Sequence, residues 1–202
     1  MKPKTVAIIA SVFVVVIAAL IVYSQVSGGK YHFNGTHIEP AVEAYDFSLT
    51  HADGSVFRLS DYQGKVVLLF FGYTHCPDVC PTTLADYKVV YNELGDQADQ
   101  VAFVYITVDP ARDTPEVIAK YAHAFNPAFI GLSGSEEVLQ KIYERYGVFH
   151  EIQEDEATAE NYLVAHTSVV YVIDKQGRWR LTFPFELGPY QMAEDVAYLL
   201  SE

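Results

Sequence analysis

The chain has 202 residues, half of them hydrophobic and 14% aromatic, with a formal net charge of −13. This is material for one cored domain of about 150–170 residues plus an extension, and the acidity disfavours nucleic acid as a partner. Two cysteines are too few for a disulfide scaffold or for a four-cysteine zinc site.

Met1-Lys2-Pro3-Lys4 is basic, and the run from Val6 to Val22 is apolar except for Ser11. As a helix this run spans about 25 Å, slightly short of the roughly 30 Å hydrocarbon core, and Thr5 and Tyr23 can lengthen it. It exceeds the apolar core of an ordinary signal peptide, so residues 1–23 are expected to be one uncleaved membrane-spanning helix. The alternative is a signal segment cut near Val22-Tyr23-Ser24. Lys2 and Lys4 place the amino terminus in the cytoplasm. Everything after Tyr23 then faces the periplasm from a bacterial inner membrane, in a space where thiols oxidise readily. Residues 24–40 contain Ser27-Gly28-Gly29 and little periodicity, and read as a flexible tether before a domain over 41–202.

Tyr45, Phe47 and Leu49 alternate with polar residues, and Val56 to Leu59 follows Asp53-Gly54, which predicts a hairpin. Val66 to Phe71 is an uninterrupted apolar run, the pattern of a buried central strand. It leads into Gly72-Tyr73-Thr74-His75-Cys76-Pro77-Asp78-Val79-Cys80-Pro81, which holds both cysteines. Pro81 suits the first position of a helix, which makes Cys80 the expected N-cap and puts Cys76 in the preceding loop. The partial positive charge of a helix N-terminus stabilises a thiolate. Two sulfurs so placed are close enough to bond each other or to share a soft metal ion. A plain stabilising disulfide is the weaker reading, because so small a loop removes little unfolded-state entropy.

Leu84, Tyr87, Tyr91 and Leu94 recur at helical spacing. Val101 to Val108 reads as a second buried strand. It ends at Asp109-Pro110-Ala111-Arg112-Asp113-Thr114-Pro115, where Thr114 and Pro115 open a helix carrying Ile118, Tyr121, Ala122 and Phe125. A short strand over 129–132 follows, then a helix capped by Ser135. Residues 151–160 are acidic and read as a solvated loop, with docking of a basic partner as the functional alternative. Val169–Ile173 and Trp179–Phe183 form a second hairpin around Asp174-Lys175-Gln176-Gly177, and a last helix begins near Pro189. Parallel strands with a crossover helix, then a terminal hairpin and helix, make an α/β, thioredoxin-like plan with an N-terminal hairpin extension. In that plan the thiol motif faces the loop containing Leu163-Val164-Ala165-His166-Thr167-Ser168.

Three motifs, residues 71–81, residues 108–115 and Tyr162 to Thr167, together resemble the Sco/SenC family of membrane-anchored, thioredoxin-fold copper proteins that serve cytochrome c oxidase assembly. The resemblance covers roughly residues 40–200. It implies that Cys76, Cys80 and His166 bind copper; Cys76 and Cys80 are also the candidate redox thiols. The chain departs from it at Ala165, where many members carry Asp beside the histidine, a change in what surrounds the imidazole that removes no ligand. Two thiolates and an imidazole suit Cu(I) in a trigonal site and hold Cu(II) with a further weak ligand. Read without the resemblance, His166 is a buried histidine capping a turn. A general disulfide exchanger of this fold places a cis-proline in that loop, and this chain puts His166 there instead. His75 is expected to be structural or to support the ligands, since adjacent residues point apart. Asp109 is either a turn cap or a carboxylate that tunes the thiols or docks a partner. His123 and His150 read as surface residues, and His32 and His37 as residues of the tether.

The implied function is a metallochaperone that passes copper to the copper-accepting subunit of cytochrome c oxidase. Another periplasmic copper chaperone or a thioredoxin-like reductant is a further expected partner. The alternatives are a thiol–disulfide reductase that prepares the recipient's cysteines and a redox or copper sensor. A peroxiredoxin is set aside, because Thr74 lies two residues before Cys76 where that fold places a threonine three before.

Overall fold

The computed structural model describes residues 13–19, 31–153 and 162–202. The chain forms two compact units, Met1–His32 and Phe33–Glu202. In the first, residues 13–19 are helical (α1). The expected membrane-spanning run lies mostly outside the described residues, and no helix among those described is long and apolar enough to cross a membrane.

The second unit is built on a six-stranded mixed sheet of order β1 (Thr36–Glu43), β10 (Arg178–Pro184), β9 (Val169–Ile173), β4 (Val66–Gly72), β5 (Val101–Thr107) and β6 (Ile130–Leu132). Its centre is β4 (Val66–Gly72), in which all seven residues are buried. β5 (Val101–Thr107) and β6 (Ile130–Leu132) continue the sheet in parallel on one side. β9 (Val169–Ile173) pairs antiparallel with β4 on the other, and β10 (Arg178–Pro184) pairs with β9. A strand buried on both faces needs no alternation, so a continuous apolar run is its signature. The predicted first hairpin is β2 (Ser48–Thr50) with β3 (Val56–Arg58).

Successive residues of β4 face opposite sides of the sheet, and this sorts the layers. On one face Phe103 meets Tyr87 and Tyr91 of α2 (Val79–Leu94). Tyr105 on the same face meets Tyr121 of α3 (Pro115–Phe125). α5 (Pro189–Ser201) packs beside α2. On the other face Phe71 meets Tyr143 and Tyr146 of α4 (Glu136–Tyr146). The predicted caps are present: Thr114 and Ser135 each accept from the backbone N–H three residues on. Gly147 closes α4 in the left-handed conformation, at φ 66°, which glycine adopts without steric cost.

The structure corrects four readings. The part of the expected tether from Thr36 to Pro40 lies in β1 (Thr36–Glu43), an edge strand paired with β10, with a register shift and a cis Glu39–Pro40 bond. Its entry is fixed by buried Asp195 of α5, which accepts from the Asn34 and Gly35 backbone N–H groups. Part of the expected acidic loop forms β7 (His150–Gln153), paired with β8 (Leu163–His166); the remainder, 154–160, lies outside the described residues. His150 is not a free surface residue: it is half-buried against the Tyr143 ring at 4.7 Å. Finally, α2 begins at Val79 with Asp78 as its N-cap, so Cys80 is the second helical residue. Pro81 is tolerated there because N–H groups throughout a helix's first turn lack intrahelical partners.

Candidate metal centre

The site lies where the carboxyl end of β4 hands over to α2. Gly72 ends the strand, and the chain turns back on itself so that the Cys76 N–H donates to the Tyr73 carbonyl at 3.3 Å. The turn is held from below by Asp113, a residue sequence reasoning passed over. Asp113 is fully buried and accepts from the Thr74 N–H at 2.9 Å, from the Thr74 hydroxyl, and from the Thr107 hydroxyl at 2.8 Å. The thiol loop is thereby tied to the end of the neighbouring strand. A second carboxylate four residues after Asp109 was the available signal.

Cys76 and Cys80 are unpaired thiols, the first half-buried and the second fully buried. Their sulfurs and one imidazole nitrogen of His166 all lie within 4.8 Å of one another. Cys80 Sγ to His166 Nε2 is 3.4 Å. Among the described residues this is the one cluster of three metal-ligating side chains. Ligand atoms about 2.0–2.3 Å from a shared ion stand about 3.7 Å apart in a trigonal plane, so the Cys80–His166 pair already has about that spacing and closure by about 1 Å at most brings in the rest. Two sulfurs and one nitrogen are a soft donor set, the kind that favours Cu(I).

The imidazole is aimed by its surroundings. His166 Nδ1 lies 3.1 Å from the Thr167 carbonyl oxygen, an acceptor that assigns the ring proton to Nδ1 and leaves the Nε2 lone pair facing the sulfurs. Phe70 and Tyr73 meet the ring edge-on at 6.0 and 5.8 Å. The Tyr73 hydroxyl in turn accepts from the Val164 N–H at 3.1 Å, joining β8 to the thiol strand. At Ala165, a backbone carbonyl therefore supplies the hydrogen bond that an aspartate there was expected to influence.

The two thiols differ sharply. A hydrogen bond from Cys80, then one with His166 and backbone N–H groups of Asp78 and Cys80, outweigh partial burial and bring Cys76 down to about 3. Burial, followed by the adjacent Cys76, pushes the Cys80 thiol far up. The metal-free pair thus shares one proton, held by Cys80. The expected stabilisation of a thiolate by the helix N-terminus falls on Cys76, through the backbone N–H groups of Asp78 and Cys80.

The other expected site residues lie outside the donor cluster. His75 is exposed and interacts with the Thr74 hydroxyl at 3.1 Å. Asp109 is buried; it accepts from the Tyr162 hydroxyl at 2.7 Å and from Arg112 Nε. The Arg112 guanidinium lies 3.5 Å from the Tyr162 ring centroid and donates to the Tyr162 carbonyl at 3.0 Å. Asp109 therefore braces the residue that starts toward β8, the strand that ends in His166. Gly72 was also missed. A Cβ there would lie 2.6 Å from Cys80 Sγ and 2.9 Å from the Tyr105 ring. A lone glycine closing an apolar strand was the legible sign of such a close approach.

A family model described as SCO1/SenC matches residues 35–201. The chain is 34% identical over 148 residues to the SCO2-like protein RP587 of Rickettsia prowazekii, covering 73% of this chain and 72% of that protein. It resembles the solution structure of apo Sco1 from Thermus thermophilus with TM-score 0.74 at 40% identity, covering 86% of this chain and 99% of the other. It also resembles the Bradyrhizobium japonicum ScoI structure with copper bound, with TM-score 0.69 at 36% identity, covering 79% and 98%.

Proposed function

This chain belongs to the SCO1/SenC family, and from that membership we propose that it is a copper-binding factor of cytochrome c oxidase assembly. It takes one copper ion on Cys76, Cys80 and His166 and passes it to the copper-accepting subunit of the oxidase. The observation that carries this reading is the convergence of the three donors within 4.8 Å, together with a similar structure in which copper is bound. Three ligands from two separate segments, with Cys76 and His166 only partly buried, allow an incoming thiol to reach the ion and displace them one at a time. Residues 1–23 are proposed to anchor the chain in the inner membrane with the domain on the periplasmic side. The apolar side chains Phe13, Val14 and Val15, each about two-thirds exposed, suit burial in lipid.

A second reading is favoured by the contrast between the thiols. Cys76 as thiolate attacks one sulfur of a partner disulfide, and that partner's other sulfur leaves as a thiolate. Cys80, giving up its proton to that leaving group, then attacks Cys76, closing the Cys76–Cys80 disulfide and releasing the partner's second thiolate. Two electrons pass from this chain to the partner. The same domain can therefore reduce a recipient's cysteines before copper is inserted.

The test is anaerobic titration of the reduced full chain, in detergent, with Cu(I) and Cu(II). Wild type is compared with Cys76→Ala, Cys80→Ala and His166→Ala. One copper per chain, sulfur-to-copper absorption with Cu(II), and weakening by each substitution support delivery. Indifference to His166→Ala, with efficient reduction of a disulfide substrate, supports the reductase reading.

A further inference from the structure

Tyr105 sits in the middle of β5, fully buried, and its hydroxyl makes no hydrogen bond of ordinary geometry. A buried polar group without a partner calls for an explanation. The ring cannot swing to find one: it is stacked on Phe70 at 5.7 Å, with planes 13° apart, and flanked by Tyr121 at 6.0 Å. The group the hydroxyl bears on is the Cys80 thiol, its nearest reactive neighbour in the core. Both groups press into the space that Gly72 leaves open. A Cβ at Gly72 would lie 2.6 Å from Cys80 Sγ and 3.1 Å from the Tyr105 hydroxyl oxygen.

We propose that Tyr105 is a positioning residue for the metal centre, whose phenol O–H donates to Cys80 Sγ from the core side while His166 approaches the same sulfur from β8. The observations fit one another. Gly72 has no side chain because the sulfur and the hydroxyl occupy its place, and the aromatic stack fixes the direction of the phenol. Cys80, at the second residue of α2, has little freedom to move off that line. A phenol is protonated at neutral pH, so it is a donor toward the Cys80 sulfur, both as the thiol of the metal-free chain and as a thiolate bound to metal. A donor on a ligating sulfur withdraws electron density from it. That weakens sulfur donation to Cu(II) more than to Cu(I), and so favours the reduced ion. In this part the inference rests on the copper reading above; the contact between Tyr105 and Cys80 does not.

Tyr105→Phe removes one oxygen and keeps the ring, so the fold is retained. The first readout is metal-free. Denaturant unfolding of the reduced full chain is compared for wild type, Tyr105→Phe, Cys80→Ala and the double variant. With the contact present, Tyr105→Phe lowers the unfolding midpoint in the wild-type background. It leaves the midpoint unchanged or raises it in the Cys80→Ala background, where the hydroxyl has lost its acceptor. Equal shifts in both backgrounds would overturn the proposal. The second readout is spectroscopic. In the Cu(II)-loaded chain, Tyr105→Phe moves the sulfur-to-copper absorption to longer wavelength, lowers the copper reduction potential and leaves the stoichiometry unchanged. An unmoved band would overturn the tuning role. A wild type that takes up no copper would defeat the copper reading alone, and the metal-free comparison would still decide whether Tyr105 holds Cys80.

Discussion

Cys80 Sγ lies 3.4 Å from His166 Nε2 across 86 positions of sequence, while the other imidazole nitrogen is held 3.1 Å from the Thr167 carbonyl oxygen. The histidine is thus oriented by backbone rather than by a neighbouring carboxylate. Ala165→Asp, which restores the residue that many relatives were expected to carry, should change copper affinity by less than about threefold. Outer-shell changes that do matter cost about 10–100-fold. Competition with a Cu(I) chelator measures this directly, and a tenfold gain would show that the carbonyl is an inadequate substitute.

The unequal thiols predict unequal reactivity. Cys76, held at about 3 by its hydrogen bond from Cys80 and then by the His166 and backbone contacts, is a thiolate throughout the neutral range. Its alkylation by iodoacetamide in the reduced, metal-free protein should vary little between pH 5 and 8. Buried Cys80 should remain unlabelled until the protein unfolds. Mass spectrometry of the labelled peptide separates the two. A rate at Cys76 that climbs tenfold per pH unit over that range would mean that the proton sits on Cys76.

The same pair sets a pH dependence of stability. In the unfolded chain both thiols titrate near the ordinary value of 9.0. Folding lowers Cys76, so its contribution is complete above pH 9, shrinks as pH falls and is gone below about 3. Folding raises Cys80, so its contribution is complete below pH 9 and is lost as pH rises further. In urea, the reduced metal-free protein should therefore gain stability from these groups up to about pH 9 and lose it beyond. Cys76→Ala should remove the rising limb.

Gly72→Ala adds one methyl group where Cys80 Sγ and the Tyr105 ring would stand 2.6 and 2.9 Å from it. Overpacking of this kind costs about 1–3 kcal/mol. Because the displaced atom is one of the three proposed copper donors, copper affinity should fall along with stability. Unchanged copper binding in a folded Gly72→Ala variant would mean that the sulfur can move without loss of the site.

Asp113→Ala deprives the Thr74 N–H and the Thr74 and Thr107 hydroxyls of their acceptor. Unsatisfied groups of this kind cost about 1–3 kcal/mol each when buried, and Thr74 is only half-buried, so a loss of about 2–4 kcal/mol is expected. Urea unfolding measures it, and a loss under about 1 kcal/mol would show that the thiol loop is held by other contacts. Asp109→Asn tests the neighbouring brace. It should weaken copper binding through Tyr162 and β8 rather than by removing a ligand. Unchanged copper binding, thiol reactivity and oxidase maturation would leave Asp109 a structural turn residue.

What the sequence determined by itself was whatever depends on local pattern. The apolar run of β4, the hairpin around Asp53-Gly54 and the Thr114 and Ser135 caps all declare themselves within a few residues, because burial on both faces, turn conformation and capping are local requirements. The two thiols at a strand-to-helix junction were legible for the same reason, whereas His166, which ends β8, was picked out by the plan of the fold and the family resemblance. Tertiary structure decided the rest. β1 is an edge strand with both faces largely exposed, so no alternation marks it, and only its pairing with β10 makes it a strand. β7 and β8 likewise exist through each other. Which cysteine receives the helix N-terminus, why position 72 bears no side chain, and what Asp113 and Tyr105 do all depend on contacts between segments far apart in sequence. Hydrogen bonds and close approaches of that kind leave no period along the chain, because their partners are chosen by the folded sheet.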